Sequence, residues 1–250
     1  EFTNSKGVPT GGVYGFVAMI LRIAAEMRPD YIVACYDLPQ KTFRHEAYSA
    51  YKGHRAKTDE SLVSQIESSR TVCEKMGIPI YDLPGFEADD MLGTIVEIEK
   101  GNKELDIVIA TGDMDSLQLV RGKKVRVFTL KKGINDTVVY DEDAVRERYG
   151  FGPEHLCDYK GLRGDPSDNI VGVPGIGEKT ATDIILKFGT IENLYRELRR
   201  DPGELVRQGL KERIVKLLQE HEEGALFSKT LATIRRDAPI EFRLPDVPWV

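Results

Sequence analysis

Gly85-Phe86-Glu87-Ala88-Asp89-Asp90-Met91-Leu92-Gly93 sets three carboxylates within four residues at the point where an apolar helix begins. Two unit charges about 4 Å apart repel by roughly 4 kcal/mol at a surface-like dielectric, so the cluster needs a neutralising partner. Met91, Leu92, Ile95, Val96 and Ile98 follow, which places the acids in a first helical turn, where the macrodipole favours anions by a few tenths of a kcal/mol each. On that turn Glu87 and Asp90 share one face, with Asp89 beside them. Taken alone, the stretch fits equally an acidic turn on a solvated helix face.

A second acidic pair changes the balance. The run Leu105-Asp106-Ile107-Val108-Ile109-Ala110 has the composition of a strand and leads into Thr111-Gly112-Asp113-Met114-Asp115-Ser116. Open α/β sheets bind ligands outside the carboxyl ends of their strands, which is where both clusters fall. From Asp82 to Asp115 only Lys100 and Lys103 oppose the acids, leaving a local excess of eight negative charges. Such an excess invites divalent cations.

Upstream, Val13, Phe16, Val17, Ile20, Leu21 and Ala24 recur at helical spacing until Arg28-Pro29. The continuous apolar run Tyr31 to Tyr36 suits a buried parallel strand, with Asp37 just past its end as either a turn residue or a further acid at the same edge. Residues 40–59 differ in composition: Lys41, Arg44, Lys52, Arg55 and Lys57 outnumber the acids, with Phe43, His45, Tyr48 and Tyr51 interleaved. As a helix, this stretch would align Arg44, Tyr48, Lys52 and Arg55 on one face, either solvated or presented to a phosphate backbone. Much of it lacks an apolar face, which predicts a mobile segment.

Downstream, the alternation of Ile78 to Tyr81, the acidic helix and the Leu105 strand predicts a doubly wound parallel sheet. Lys124 to Leu130 and Thr137 to Tyr140 read as further strands around a Lys131-Lys132-Gly133 turn, and Asp141 to Tyr149 as a helix. Beyond Pro153 the pattern is helical. Gly172-Val173-Pro174-Gly175-Ile176-Gly177-Glu178-Lys179 separates two of the helices, as a plain connector or as a turn whose N–H groups clamp a phosphate. Pro239, Pro245 and Pro248 predict an extended C-terminal tail.

Composition bounds the rest. The 250 residues are 41% hydrophobic, enough for a core in one large or two modest domains, and no apolar run approaches the roughly 18 residues of a membrane span. The opening residues have no signal-peptide pattern, so the expectation is a cytoplasmic protein. Cys35, Cys73 and Cys157 stand singly, which argues for reduced thiols and against zinc. A net charge of −6 excludes a nonspecific DNA coat, yet the basic 40–59 stretch complements the acidic one.

Five ordered segments carry a resemblance: Thr3 to Gly7, Phe43 to Arg55, Gly85 to Asp90, Thr111 to Gln118, and Gly164 to Ala181. With them the chain resembles the 5′ nuclease (flap endonuclease) family, above all the N-terminal 5′ nuclease domains of bacterial DNA polymerase I. The resemblance implies an α/β fold: a parallel-sheet nuclease core over residues 1–160 with a helical arch at 40–59. A C-terminal helical domain at 161–236 would contain a helix-hairpin-helix element, and 237–250 would be a tail or linker. It implies metal-dependent cleavage of branched or 5′-flap DNA in replication and repair, by a monomer that can share its parent chain with a polymerase domain.

Mg²⁺ or Mn²⁺, as two ions, would be held by Asp37, Glu87, Asp89, Asp90, Asp113, Asp115, Asp165 and Asp168. Arg44 and Lys52 would contact the scissile phosphate, Tyr51 and Arg55 would assist in DNA binding, and Gly172, Gly175, Gly177 and Lys179 would hold duplex phosphates with a K⁺ ion. Family members begin with a buried strand ending in a further metal-binding Asp, and this sequence opens in the loop after it. Upstream residues are therefore expected in the parent chain. The alternative is a catalytically impaired branched-DNA-binding module lacking that strand.

Overall fold

Helix α1 (Gly11–Met27) stops where the sequence requires it: Arg28 turns left-handed at φ 46°, its N–H bonds back to Ala24, and Pro29 follows. In this computed structural model, which describes residues 2–130 and 136–249, α1 packs on α3 (Glu60–Lys75). Between them come strand β1 (Ala34–Cys35) and the short helix α2 (Phe43–Ala47). Strand β2 (Ile80–Tyr81), helix α4 (Ala88–Glu99) and strands β3 (Ile107–Ala110), β4 (Val125–Leu130) and β5 (Thr137–Tyr140) complete the α/β part. The expected Lys131-Lys132-Gly133 turn lies outside the described residues.

The strands form two sheets rather than one doubly wound sheet. β1 pairs in parallel with β2, Ala34 opposite Ile80, and β3 pairs in parallel with β4, Ile107 opposite Val125. β5 is antiparallel to β4. The apolar runs exceed the strands they contain. Pro79 has no N–H to extend the first ladder, so pairing is confined to the residues beside it.

The helical part follows: α5 (Glu142–Tyr149), α6 (Leu156–Arg163), α7 (Glu178–Phe188), α8 (Ile191–Arg200), α9 (Pro202–Arg207), α10 (Glu212–Glu220) and α11 (Glu222–Ala232). One buried cluster runs through both parts, from Val96, Ile109, Leu117 and Val127 to Leu162, Ile184, Leu194 and Leu218. α6 meets α11 at Gly161, where a Cβ would lie 2.5 Å from Ile191 Cδ1 and 3.0 Å from the Ala225 carbonyl.

The tail is extended, as its prolines predict, but it is not a loose linker. Ala238 N–H bonds Thr94 Oγ1, Phe242 packs on Tyr81, and Trp249 joins Ile20, Cys73 and Ile78 while its indole donates to the Met76 carbonyl at 2.9 Å. Aromatic burial outweighs the solvation of a free tail.

Candidate active site

Glu87 caps α4 with Asp90 closing the capping box, so the opening stretch is a first helical turn as expected. Its acids then part company. Asp90 is 0% exposed and accepts both Arg44 amino groups at 2.8 Å, the Glu87 N–H at 3.0 Å and the Arg235 N–H at 2.9 Å. Arg44 also donates to the carbonyls of Leu231 and Thr233. Asp90 thus turns its lone pairs to protein donors rather than to a metal, and Arg44 spends four of its five N–H donors on protein acceptors, its Nη1 also facing Glu87 at 3.7 Å. The pair instead ties α2, α4 and the end of α11 together.

The other acids converge. Asp37, beyond β1, accepts the Ala88 N–H at 2.7 Å, and Asp89 takes a bond from Ser116. Burial, then the charges of Asp113, Asp115, Asp37 and Glu87, push the Asp89 carboxyl up to about 7. Asp115, Asp165 and Asp168 each offer an oxygen within 4.8 Å of the others. Burial raises Asp115 to about 6, against the pull of Lys160, with Asp113 adding to the rise. Asp165, although burial opposes it, is held below its ordinary value by Lys160 and Ser167. Lys160 Nζ bridges Asp115 and Asp165, and its own pKa is raised by them despite burial.

The basic stretch is not one long helix. α2 ends at Ala47, Tyr48 is extended and packs edge-on against Phe227, and turns follow to Arg55. Arg44, Tyr48, Lys52 and Arg55 therefore share no face. The carboxylates draw the cations inward: Lys52 Nζ bonds Glu87 at 3.0 Å, and Arg55 bonds Asp168 at 2.6 Å. Tyr51 is buried and its one hydroxyl proton goes to Asp168 at 2.9 Å, with Glu87 as the more distant acceptor at 3.2 Å. Tyr51, Ile170, Leu231 and Ala232 form a small apolar cluster beneath, so this segment has the anchor its composition seemed to deny it.

Asp165 and Asp168 sit in a loop closed by paired backbone bonds between Asp165 and Ile170, both 2.8 Å. The loop returns against the glycine turn at Gly164 and Gly172, both at positive φ, and a Cβ on Gly172 would stand 2.2 Å from the Gly164 nitrogen. Gly172 N–H is taken by Ser228 Oγ and Val173 N–H by the Leu162 carbonyl, so Gly172 has no N–H to offer a phosphate. Gly175, at φ +87°, and Gly177, which caps α7, have no acceptor for theirs among the described residues. Lys179 follows, exposed, in the first turn of α7.

Two family models account for the chain: the 5'-3' exonuclease N-terminal resolvase-like domain over residues 1–150, and the 5'-3' exonuclease C-terminal SAM fold over 151–250. The chain belongs to the 5'-3' exonuclease family. It is 42% identical to DNA polymerase I of Bacillus caldotenax, over 98% of this chain and 27% of that protein, and 40% identical to DNA polymerase I of Bacillus subtilis, over 96% and 26%. It thus spans about a quarter of these relatives. The T5 D15 protein co-crystallized with metal ions has the same fold, with TM-score 0.75 at 22% identity over 91% of this chain and 82% of that one. The catalytic core of Rad2 in complex with DNA substrate gives 0.60 at 16% identity, over 98% and 78%.

Of the acids expected as ligands, this 5'-3' exonuclease chain gathers Asp37, Glu87, Asp89, Asp113, Asp115, Asp165 and Asp168 and withdraws Asp90. Sequence reading missed Lys160. Its only signal was its place one helical turn before the Asp165 loop. The donors are all carboxylate oxygens, and every charge that moves Asp89 is negative, so the residues present fit a hard divalent cation. Among the described residues no helix is long and apolar enough to cross a membrane.

Proposed function

We propose that the chain is a structure-specific 5′ nuclease, a 5′-3′ exonuclease and flap endonuclease that hydrolyses DNA phosphodiesters with divalent metal in replication and repair. The observation that carries this is the meeting of two acidic groups, Glu87/Asp89/Asp113 and Asp115/Asp165/Asp168, beside Lys52 and Arg55. Glu87, Asp89, Asp113, Asp115, Asp165 and Asp168 would hold two divalent ions, Mg²⁺ or Mn²⁺, which would supply an activated water and charge neutralisation of the leaving oxygen, so no side-chain nucleophile is needed. Tyr51 would orient Asp168 by donating to it, with Glu87 within reach of the same hydroxyl. Lys52 and Arg55, which neutralise the same two acids, would turn from them toward the scissile phosphate and hold it in line.

Residues 1–160 are the nuclease core in this reading, and 161–236 a DNA-binding unit. Its α6–turn–α7 segment would be a helix-hairpin-helix in which Gly175 and Gly177 N–H groups and Lys179 grip duplex phosphates with a K⁺ ion. The substrate is branched or 5′-flap DNA and the working form is a monomer in the cytoplasm, either free-standing or, as the matching stretch is in the DNA polymerase I relatives, part of a longer chain. The test is cleavage of a labelled 5′-flap duplex by a chain of verified mass. Short 5′ fragments should appear with Mg²⁺, not with EDTA, and not from Asp113→Asn. Cleavage that survives EDTA would overturn the reading, as would flap binding without cleavage under any metal, which would leave a binding module.

A further inference from the structure

A groove runs from the acidic centre toward the glycine turn. One cleft, of about 480 Å³, reaches from Asp113, Asp115 and Asp165 to Arg148, Tyr149, Tyr159 and Arg163. A second, of about 420 Å³, shares Arg148, Tyr149 and Tyr159 and ends on α7 at Glu178, Lys179, Thr182 and Asp183, so its cations are Arg148 at the shared end and Lys179 at the far end. The floor is aromatic: Tyr149 and Tyr159 stand 6.1 Å apart between centroids. Arg148 lies 5.4 Å from the Tyr149 ring and donates to the Tyr140 hydroxyl at 2.8 Å, while Arg163 lies 5.8 Å from the Tyr159 ring.

These guanidinium groups are held by rings rather than by acids. Among the described residues no carboxylate comes within 4 Å of Arg148, and Arg163 meets only Glu178, at 3.8 Å and largely exposed. Elsewhere in the site the cations are spent on neighbours: Lys160 on Asp115 and Asp165, Arg55 on Asp168. A polyanion entering an acidic cleft needs positive charge along its path. A planar guanidinium already fixed on an aromatic face loses little freedom when it grips a phosphate.

We propose that Arg148 and Arg163 form a phosphate subsite for the backbone of the DNA strand that runs from the acidic centre to the turn at Gly175 to Lys179. The proposal rests on the nuclease reading and adds to it the path of the bound strand. The groove continues for two clefts, which suits successive phosphodiesters rather than one free anion.

The test is anisotropy of a fluorescent 5′-flap duplex in EDTA, so that nothing is cleaved, at a series of salt concentrations. Arg148→Ala/Arg163→Ala should bind on the order of tenfold more weakly at 0.1 M salt, with the slope of log K against log salt smaller by about 1 to 2. Arg148→Lys/Arg163→Lys should recover most of the slope. Arg200→Ala/Lys216→Ala, which removes two exposed charges from α8 and α10, should change binding far less. Equal loss in the two alanine pairs would overturn the subsite while leaving the nuclease reading intact. Wild-type protein that binds no flap DNA would bring down both. Low-millimolar inorganic phosphate that displaces DNA from wild type but not from the arginine variant would mark a free-anion site and overturn the strand path.

Discussion

Arg44 and Asp90 mark the difference between charge near a site and charge in it. Removing one partner leaves the other buried and uncompensated, so Arg44→Ala should lose about 3 to 5 kcal/mol in urea unfolding, with activity falling in step with folded fraction. Lys52→Ala should do the reverse: almost unchanged unfolding, with flap cleavage at saturating substrate reduced on the order of 100-fold. Asp89 supplies a pH signature. Its folded-state pKa of about 7 lies above the ordinary 3.8, so the folded chain binds this proton more tightly than the unfolded one. The stability it contributes is present below about 4 and lost as pH rises toward 7. Metal-free Asp89→Asn should therefore melt several degrees above wild type at pH 8, match it near pH 4, and lose the advantage when Mg²⁺ stabilises wild type. Equal melting temperatures of the metal-free proteins at pH 8 would show that Asp89 is not crowded by its neighbours.

At the scale of elements, helix ends were more legible than strands. Arg28-Pro29 and the capping box at Glu87 and Asp90 state local backbone chemistry that no tertiary contact needs to supply. Strand length is different, because a ladder extends only as far as two remote segments overlap, and apolar runs at Tyr31 to Tyr36 and Ile78 to Tyr81 gave two-residue strands. The 40–59 stretch failed as a helix for a related reason: Glu87 and Asp168, remote in sequence, attract Lys52 and Arg55 more strongly than helical geometry could reward. The α6–α11 contact gives a test at this scale. Gly161→Ala forces a methyl into Ile191 and the Ala225 carbonyl, and should cost about 1 to 3 kcal/mol in urea unfolding.

Across the whole molecule, residues 233–249 leave the helical part and return over the α/β part, ending with Trp249 beside Ile20 and Cys73. Trp249→Ala should lower global stability by about 1 to 3 kcal/mol and speed amide exchange in α1 and α3 before it does so in α6 or α11. The sequence by itself determined the chemistry: carboxylates grouped in pairs and triplets, a basic stretch with interleaved tyrosines, a glycine turn, and helix boundaries, all set by residue type and spacing within a few turns of chain. Only the tertiary structure decided which acid is withdrawn as a structural partner, that Lys160 enters the site, and where the cations point. Those outcomes depend on burial and on electrostatic energies between residues 45 to 117 positions apart, which no local pattern encodes.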